Sequence, residues 1–563
     1  MHYEALEKAK AMLTAPGQQF ELERKEILGN EILNYKNAPP SLREVWLMTA
    51  AHAGRDFIVY EGERMTYAEA HRQVSSVAGW LFEQGVETGD RVAIAMRNYP
   101  EWMLLYWACV SVGVTVVGMN AWWTAPEMAY GLNDSKPKII FADDQRLERI
   151  IGNSEIETQS TLVGIRMSAA RDGVIRYDDI IATERAMPEV AVDPESDACI
   201  FYTSGTTGFP KGAQLTQRGC VANLFNLIYR LSADAVVNHL VTGEPMPDPE
   251  AAEPPVGLVT TPLFHVTANN CAAQLLTAAG GKMVLMYRWD AGAALKIIEQ
   301  EKVTALSGVP VMGRELLNHP DFDSTDTSSL TAINLGGAQV PPDQVAQTKS
   351  KGEQLSAGTG YGMTEACGII TSVGGAFFLD KPESAGPPMP NFEAKCVDDE
   401  GNEVPQGELG ELWVRGSCVI KGYINRPEAT AESITDGWLH TGDIGRIDEH
   451  GFVYLVDRKK DMVLRGGENI YCVEVEAGIY HHPAIAEVVV FGVPDERLGE
   501  DVGAAIVLKD GHTLTDEELK AHCLERMAKF KVPNHIWFSS EPFPRNASGK
   551  FLKREVREKL LAG

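Results

Sequence analysis

From Arg64 onward the chain alternates helix and strand signals, and no other feature restricts its fold as strongly. Thr66-Tyr67-Ala68-Glu69 reads as a capping box opening a helix to about Gln84, and Arg91 to Met96 reads as a buried strand. A helix is expected from Pro100, a strand over Val114 to Val117, a second capping box at Thr124 to Glu127 before a short helix, and a strand over Lys138 to Phe141. Such βαβ alternation implies a largely parallel sheet covered by helices. The uncharged stretch from Trp102 to Pro126 is long enough to cross a bilayer. Gly113 divides it, however, into a helix-like half and a β-branched half followed by Asn120 and Thr124, so helix then buried strand is the expected form and no membrane span is assigned.

The 563 residues allow three to four domain-sized units at about 150 residues each. With 44% apolar and 23% charged residues, collagen-like, coiled-coil and mostly disordered chains are excluded. Gly243 to Pro255, rich in proline and acids, reads as a solvated surface insertion. After about Gln406 the pattern changes to short strands and turns. The charged run Asp457-Arg458-Lys459-Lys460-Asp461 then precedes a last unit of strands and helices, with a helix near Thr515 to Met527, and reads as a hinge. Nine cysteines fall in no CxxC pair and no zinc-ligand spacing, and the N-terminus MHYEALEKAKAML has no apolar signal core, so reduced thiols and a cytoplasmic location are expected. The net charge of −27, with no basic-rich stretch, disfavours nucleic acid as a partner. Any phosphate ligand must therefore be held by local donors.

A strand pattern over Ala198 to Tyr202 runs into Thr203-Ser204-Gly205-Thr206-Thr207-Gly208-Phe209-Pro210-Lys211-Gly212. Small hydroxyl residues and glycines let backbone N–H groups approach an anion, and Lys211 adds a mobile positive charge, which describes a phosphate cradle. It is not a Walker loop, because Pro210 precedes Lys211 and Gly212 follows it.

The segment FYTSGTTGFPKGAQLT resembles the signature of the adenylate-forming superfamily, which includes acyl-CoA synthetases, amino-acid-activating domains and luciferases. GTGYGMTEACG at Gly358 to Gly368, WLHTGDIGRIDEHGFVYLVDRKKDMV at Trp438 to Val463, RGGENIYCVEVE at Arg465 to Glu476 and PRNASGK at Pro544 to Lys550 follow in that family's order. The resemblance implies an α/β chain: a large N-terminal domain of helix-covered, largely parallel sheets with a β-rich subdomain, and a small mobile α+β C-terminal domain. It divides the chain into an extension over 1–40, the ATP and acyl domain over 41–457, a hinge over 458–460 and a lid over 461–563 that carries a catalytic lysine.

The implied activity is an AMP-forming acid–thiol ligase using ATP, CoA and Mg²⁺: a carboxylate becomes an acyl-AMP, and the acyl group then passes to CoA. Both steps are displacements at crowded anionic centres, where positioning and charge neutralisation matter most. By resemblance, Ser204, Gly205, Thr206, Thr207, Gly208 and Lys211 bind ATP. Gly362 and Thr364 also bind ATP, and Thr203 and Glu365 serve both nucleotide and Mg²⁺. Tyr361 offers a face to adenine, Gly336-Gly337-Ala338 offer backbone groups to its edge, and Asp443 and Arg458 take the ribose and phosphate side. Lys550 would touch carboxylate and α-phosphate together and offset their repulsion. The lid is expected to turn about Lys460, bringing Gly466 and Gly467 to pantetheine. Arg465 and Cys472 depart from the family's commonest residues, and Cys472 reads as a buried small residue.

Thr261 to Val266 lacks the aspartate that pairs with an amino-acid substrate, so the acid has no α-amino group. His265 resembles the residue beside the acyl carboxylate. Gly336, Gly360 and Gly362 are expected on the acyl pocket, with Asn223 to Tyr229 and Gly308 to Met312 along a tunnel suited to a fatty or aromatic tail. The expected substrate is a medium- or long-chain fatty acid. An aryl acid, a luciferase-type oxygenation of the adenylate and a silent adenylate-binding protein are the alternatives, and a homodimer is left open.

Overall fold

The computed structural model describes residues 2–203, 210–248, 253–337, 340, 342–352, 355–466, 468–546 and 549–562. They fall into two compact units, residues 1–393 with 415–439, and 394–414 with 440–563.

The first unit contains two large sheets. One has seven strands in the order Lys211–Thr216, Asp197–Thr203, Thr115–Gly118, Arg91–Ala95, Ile139–Asp143, Thr161–Ile165, Val174–Arg176. Its strands are parallel except for the edge strand Lys211–Thr216. The other has eight strands, parallel from Ser356–Met363 across to Asp56–Tyr60 and closed at each edge by an antiparallel neighbour. Parallel strands need helical crossovers, so both centres are buried on both faces and carry continuous apolar runs such as Ile139-Ile140-Phe141.

The local signals act as elementary chemistry predicts. Thr66 with Glu69 and Thr124 with Glu127 form reciprocal capping boxes that start the helices Tyr67–Glu83 and Ala125–Ser135. Trp102 to Pro126 is a buried helix, Pro100–Val110, and a buried strand, Thr115–Gly118. Gly113 makes the break at φ +70°, where a Cβ would also stand 2.7 Å from the Thr88 methyl carbon.

Two elements in this unit have no counterpart in the sequence reading. The extension before residue 40 folds as a helix, His2–Leu13, and a hairpin of Leu22–Ile27 with Asn30–Tyr35. Phe20 and Tyr35 pack their rings against Phe225 and Tyr229 of a 26-residue helix, Gln217–Thr242. That helix is long and apolar enough to cross a membrane, yet 67% of its most apolar stretch is buried in protein. It ends at Gly243, where residues 243–248 of the acidic segment are exposed and residues 249–252 lie outside the described set.

In the second unit, Ile485–Asp495 pairs antiparallel with Gly499–Leu508, which His535–Ser539 joins in parallel. The helices Cys472–Tyr480 and Asp516–Leu524 cover this sheet, and Cys472, Ile479, Val490 and Cys523 share its core.

Candidate active site

In the first unit, Asp197–Thr203 and Lys211–Thr216 form a hairpin in which Thr203 stands opposite Lys211. The Thr203 hydroxyl donates to the Lys211 carbonyl at 3.4 Å. Residues 204–209 of the link between them, which include Ser204, Gly205, Thr206, Thr207 and Gly208, lie outside the described residues. Lys211 reaches back so that Nζ lies 5.0 Å from the centre of the Tyr423 ring. Tyr423 in turn donates its hydroxyl to Glu365 Oε1 at 2.8 Å. Burial, and then the Glu365 charge, push ionisation of the phenol far above its ordinary range, so it stays a donor. Glu365 is 9% exposed. Lys211, Tyr423 and Glu365 thus form one chain of contacts, although 212 positions of sequence separate the first two. Nothing in the sequence marks Tyr423, because Lys421-Gly422-Tyr423-Ile424-Asn425 lies outside every motif and its partner Glu365 is 58 positions away.

Gly336 and Gly360 face each other on the parallel strands Ala332–Gly336 and Ser356–Met363. Among the described residues, a Cβ at Gly336 would meet only the Gly360 carbonyl, at 3.9 Å, so the space above it is open with respect to them. The same test at Gly360 gives 2.8 Å to the Thr371 carbonyl, and at Gly362 a collision with the Gly368 carbonyl. Of these three glycines, then, Gly336 borders open space, while Gly360 and Gly362 permit the close approach of their own hairpin partner. Tyr361 is partly buried, with its hydroxyl 4.0 Å from the Met363 sulfur. Thr364 and Glu365 sit in one 3₁₀ turn that Cys367 ends with φ +54°, and Gly337 has φ +79°. Ala338 lies outside the described residues.

His265 precedes the short helix Val266–Ala268, its ring 4.7 Å from that of Phe264. A π-helical turn, Asn269–Ala273, follows. Asn98 holds the segment that leads into His265: its amide donates to the Thr261 carbonyl at 2.9 Å and its oxygen accepts from Leu263 N–H at 3.0 Å. Nothing in the sequence marks Asn98, because both of its partners are more than 160 positions away.

The second unit holds the remaining residues. Asp443 is buried and stands opposite Arg458, whose Nε lies 3.0 Å from its carboxylate. Lys460 is exposed in a turn in which Asp461 and Met462 donate to the Arg458 carbonyl at 3.0 and 3.2 Å. Just before it, burial raises the Asp457 carboxyl to about 6 although backbone N–H groups of Arg458 and Cys472 donate to it. Gly466 has φ +61° and donates to the Leu498 carbonyl at 2.7 Å, while Gly467 lies outside the described residues. Arg465, unusual for the motif, is tied down by Asp501 at 2.6 Å. Cys472 is buried, and burial pushes its thiol well above the ordinary range.

Lys550 is exposed at the foot of a loop whose ends bind each other. Asn546 N–H donates to the Lys550 carbonyl at 2.8 Å, and Lys550 N–H donates to the Asn546 side-chain oxygen at 2.9 Å. Arg545 anchors that loop through Glu487 at 2.8 Å and through the Phe551 ring at 3.9 Å.

Residues 47–424 match the family model described as AMP-binding enzyme, and residues 474–550 match the AMP-binding enzyme C-terminal domain. The chain is 35% identical to a feruloyl-CoA synthase of Amycolatopsis sp over 499 residues, covering 89% of this chain and 94% of that one. It is 33% identical to a long-chain-fatty-acid–CoA ligase of Bacillus subtilis (strain 168), covering 89% and 91%. Among solved structures it is similar to the o-succinylbenzoate CoA synthetase of Bacillus subtilis in complex with its acyl-adenylate intermediate. The TM-score there is 0.73 at 31% identity, over 91% of this chain and 97% of that one.

Proposed function

This chain belongs to the AMP-binding enzyme family, among its acyl-CoA ligases, and from that premise we propose that it activates a hydrophobic carboxylic acid as an acyl-AMP and transfers it to CoA. Acid–thiol ligation with ATP and CoA is the chemistry of these relatives; the acid is what this chain's own residues must select. The observation that carries the selection is the segment Thr261 to Val266, which holds no acidic residue and buries Leu263, Phe264 and Val266. An α-amino group would find no counter-charge there. His265 is placed beside the acyl carboxylate in this reading, and Asn98 keeps its segment in position.

Repulsion between two anions is the first barrier. Lys550 is assigned to offset it, Lys211 and the hairpin it closes to hold the phosphates, and Asp443 with Arg458 to hold the ribose side. Thr203 and Glu365 are hard oxygen donors suited to Mg²⁺, and Tyr423 fixes the orientation of the Glu365 carboxylate. No group of three or more His, Cys, Asp or Glu gathers among the described residues, which suits an ion that takes most of its ligands from nucleotide and water. When bound, Mg²⁺ would neutralise phosphate charge. Lys460 is assigned as the pivot of the C-terminal lid and Gly466 as a surface for pantetheine.

Tyr423→Phe is expected to raise the KM for Mg·ATP roughly ten- to a hundredfold, because a hydrogen bond to a charged group contributes about 1.5–3 kcal/mol. A titration of activity against Mg²⁺ at fixed ATP checks it, and an unchanged midpoint would remove Tyr423 from this role.

The reading itself is tested by pyrophosphate release across fatty, aryl and amino acids, with and without CoA, alongside oxygen uptake. CoA-dependent thioester formation without oxygen uptake is the expected result. An apolar tail gains about 0.8 kcal/mol per buried methylene, roughly fourfold in affinity, until the pocket ends. Gly336→Leu is expected to shorten the accepted acid, since its side chain would enter the space that this glycine leaves open. An unchanged length optimum in that variant would place the pocket elsewhere.

A further inference from the structure

We propose that the acyl pocket ends in a polar subsite, formed by Arg230 and Asn334, that binds an oxygen acceptor at the far end of the acid. This rests on the reading of Gly336 as a border of that pocket.

Asn334 and Gly336 lie two residues apart on the strand Ala332–Gly336, so their Cα–Cβ bonds leave the same face of the sheet, about 7 Å from each other. Asn334 pairs with Gly358 on the next strand, and Gly358 pairs with Gly374 on the one after it. A Cβ at Gly358 would stand 2.7 Å from Asn334 Oδ1 and 2.8 Å from Arg230 Nη2, and a Cβ at Gly374 would stand 2.5 Å from the same Nη2. Two facing glycines therefore leave a notch on this face, and the Arg230 guanidinium and the Asn334 carboxamide fill it from opposite sides. Arg230 reaches the notch from the long helix Gln217–Thr242, which packs over the Gly368–Gly374 strand.

Among the described residues, no hydrogen bond is made by the Arg230 guanidinium or by the Asn334 carboxamide, and Arg230 Nε is buried without a partner. The nearest counter-charge, Asp234, is 3.8 Å from Nε and half exposed, while the Arg230 side chain is only 21% exposed. The buried Nε–H is a donor left unmade, which is costly, while the rest of the guanidinium and the Asn334 amide are open to water or to a ligand. A carboxylate or hydroxyl oxygen on the ligand would accept from the guanidinium, which matches carboxylate geometry in a bidentate way, and from the Asn334 amide. A plain hydrocarbon end would strip water from the guanidinium and return nothing, so the subsite selects in both directions. The separation of about two strand residues from Gly336 places it within reach of a compact acid. The ligand class is therefore a carboxylic acid with an apolar body and a hydroxyl or second carboxylate at its distal end.

The test compares matched acids by pyrophosphate release: octanoate, its terminal hydroxy acid and its dicarboxylate, and cinnamate with and without a para hydroxyl. In the wild type, kcat/KM is expected to favour an oxygenated member over its plain partner by roughly tenfold or more, as sites built around a ligand hydroxyl do. The hydroxy and dicarboxylate arms decide which oxygen group is bound. Arg230→Met is expected to bring the ratio to about one. Should that variant not fold, Asn334→Leu carries the same expectation, and a ratio within one preparation does not respond to a general loss of active enzyme. Equal kcat/KM within every pair, or a preference that survives both substitutions, overturns the subsite and leaves the ligase reading intact. No pyrophosphate release with any acid overturns both.

Discussion

Lys550→Ala is expected to slow acyl-AMP formation about a hundredfold to a thousandfold, the loss of roughly 3–4 kcal/mol seen when a charge-stabilising contact of the transition state is removed. The side chain carries this effect through its ammonium, whereas the loop beneath it is held independently. Asn546 N–H donates to the Lys550 carbonyl, Lys550 N–H donates to the Asn546 side-chain oxygen, and Arg545 is anchored on Glu487, so truncating the Lys550 side chain leaves the loop's shape in place. Transfer of supplied acyl-AMP to CoA is expected to be far less affected, because no second anion then has to approach the carboxylate. Assaying the two half-reactions separately decides the matter. An equal loss in both would show that the lysine acts on folding or on both steps alike, and the proposed lid movement would fall with it.

Lys460→Pro is expected to do the reverse. Proline fixes φ near −65° and restricts the residue before it to extended backbone, so a turn that must adopt two conformations is confined to one. Lys460 is exposed, and its turn is closed by donors from Asp461 and Met462, so the substitution removes neither of these bonds. Pyrophosphate release should persist while thioester formation falls on the order of a hundredfold, the scale of a misplaced reacting group. Wild-type turnover through both steps would refute the pivot. These two variants and Gly336→Leu divide the reaction into charge neutralisation, domain movement and acid selection, three functions that the sequence assigns to separate segments.

The local elements were legible for a physical reason. Caps act over three residues, so Thr66 with Glu69 and Thr124 with Glu127 announce the helices that they start. Buried parallel strands must be apolar along their length, so Arg91–Ala95 and Ile139–Asp143 are visible as runs. The long helix Gln217–Thr242 was not visible, because its packing against the N-terminal hairpin and the strands beneath leaves it apolar around most of its surface, with no single stripe to read. The N-terminal hairpin was illegible for the complementary reason, since Phe20 and Tyr35 pack against rings 190 or more positions away.

By itself, the sequence determined which residue types stand in each motif, and thereby the family, the α/β class and the reaction. Those depend on short spacings, in which backbone geometry alone decides which groups are neighbours. The tertiary structure decided which partner each site residue has: Tyr423 on Glu365, Arg458 on Asp443, Asn98 on the segment leading to His265, and Arg230 over Gly358 and Gly374. It also distinguished Gly336, whose Cβ direction is open among the described residues, from Gly360 and Gly362, whose Cβ directions meet the neighbouring strand. All three are the same residue in one glycine-rich setting, and only sheet register and the hairpin of Gly368–Gly374 distinguish them. Register is set by the packing of a whole sheet face, to which each residue contributes a fraction, so no short window of sequence contains it.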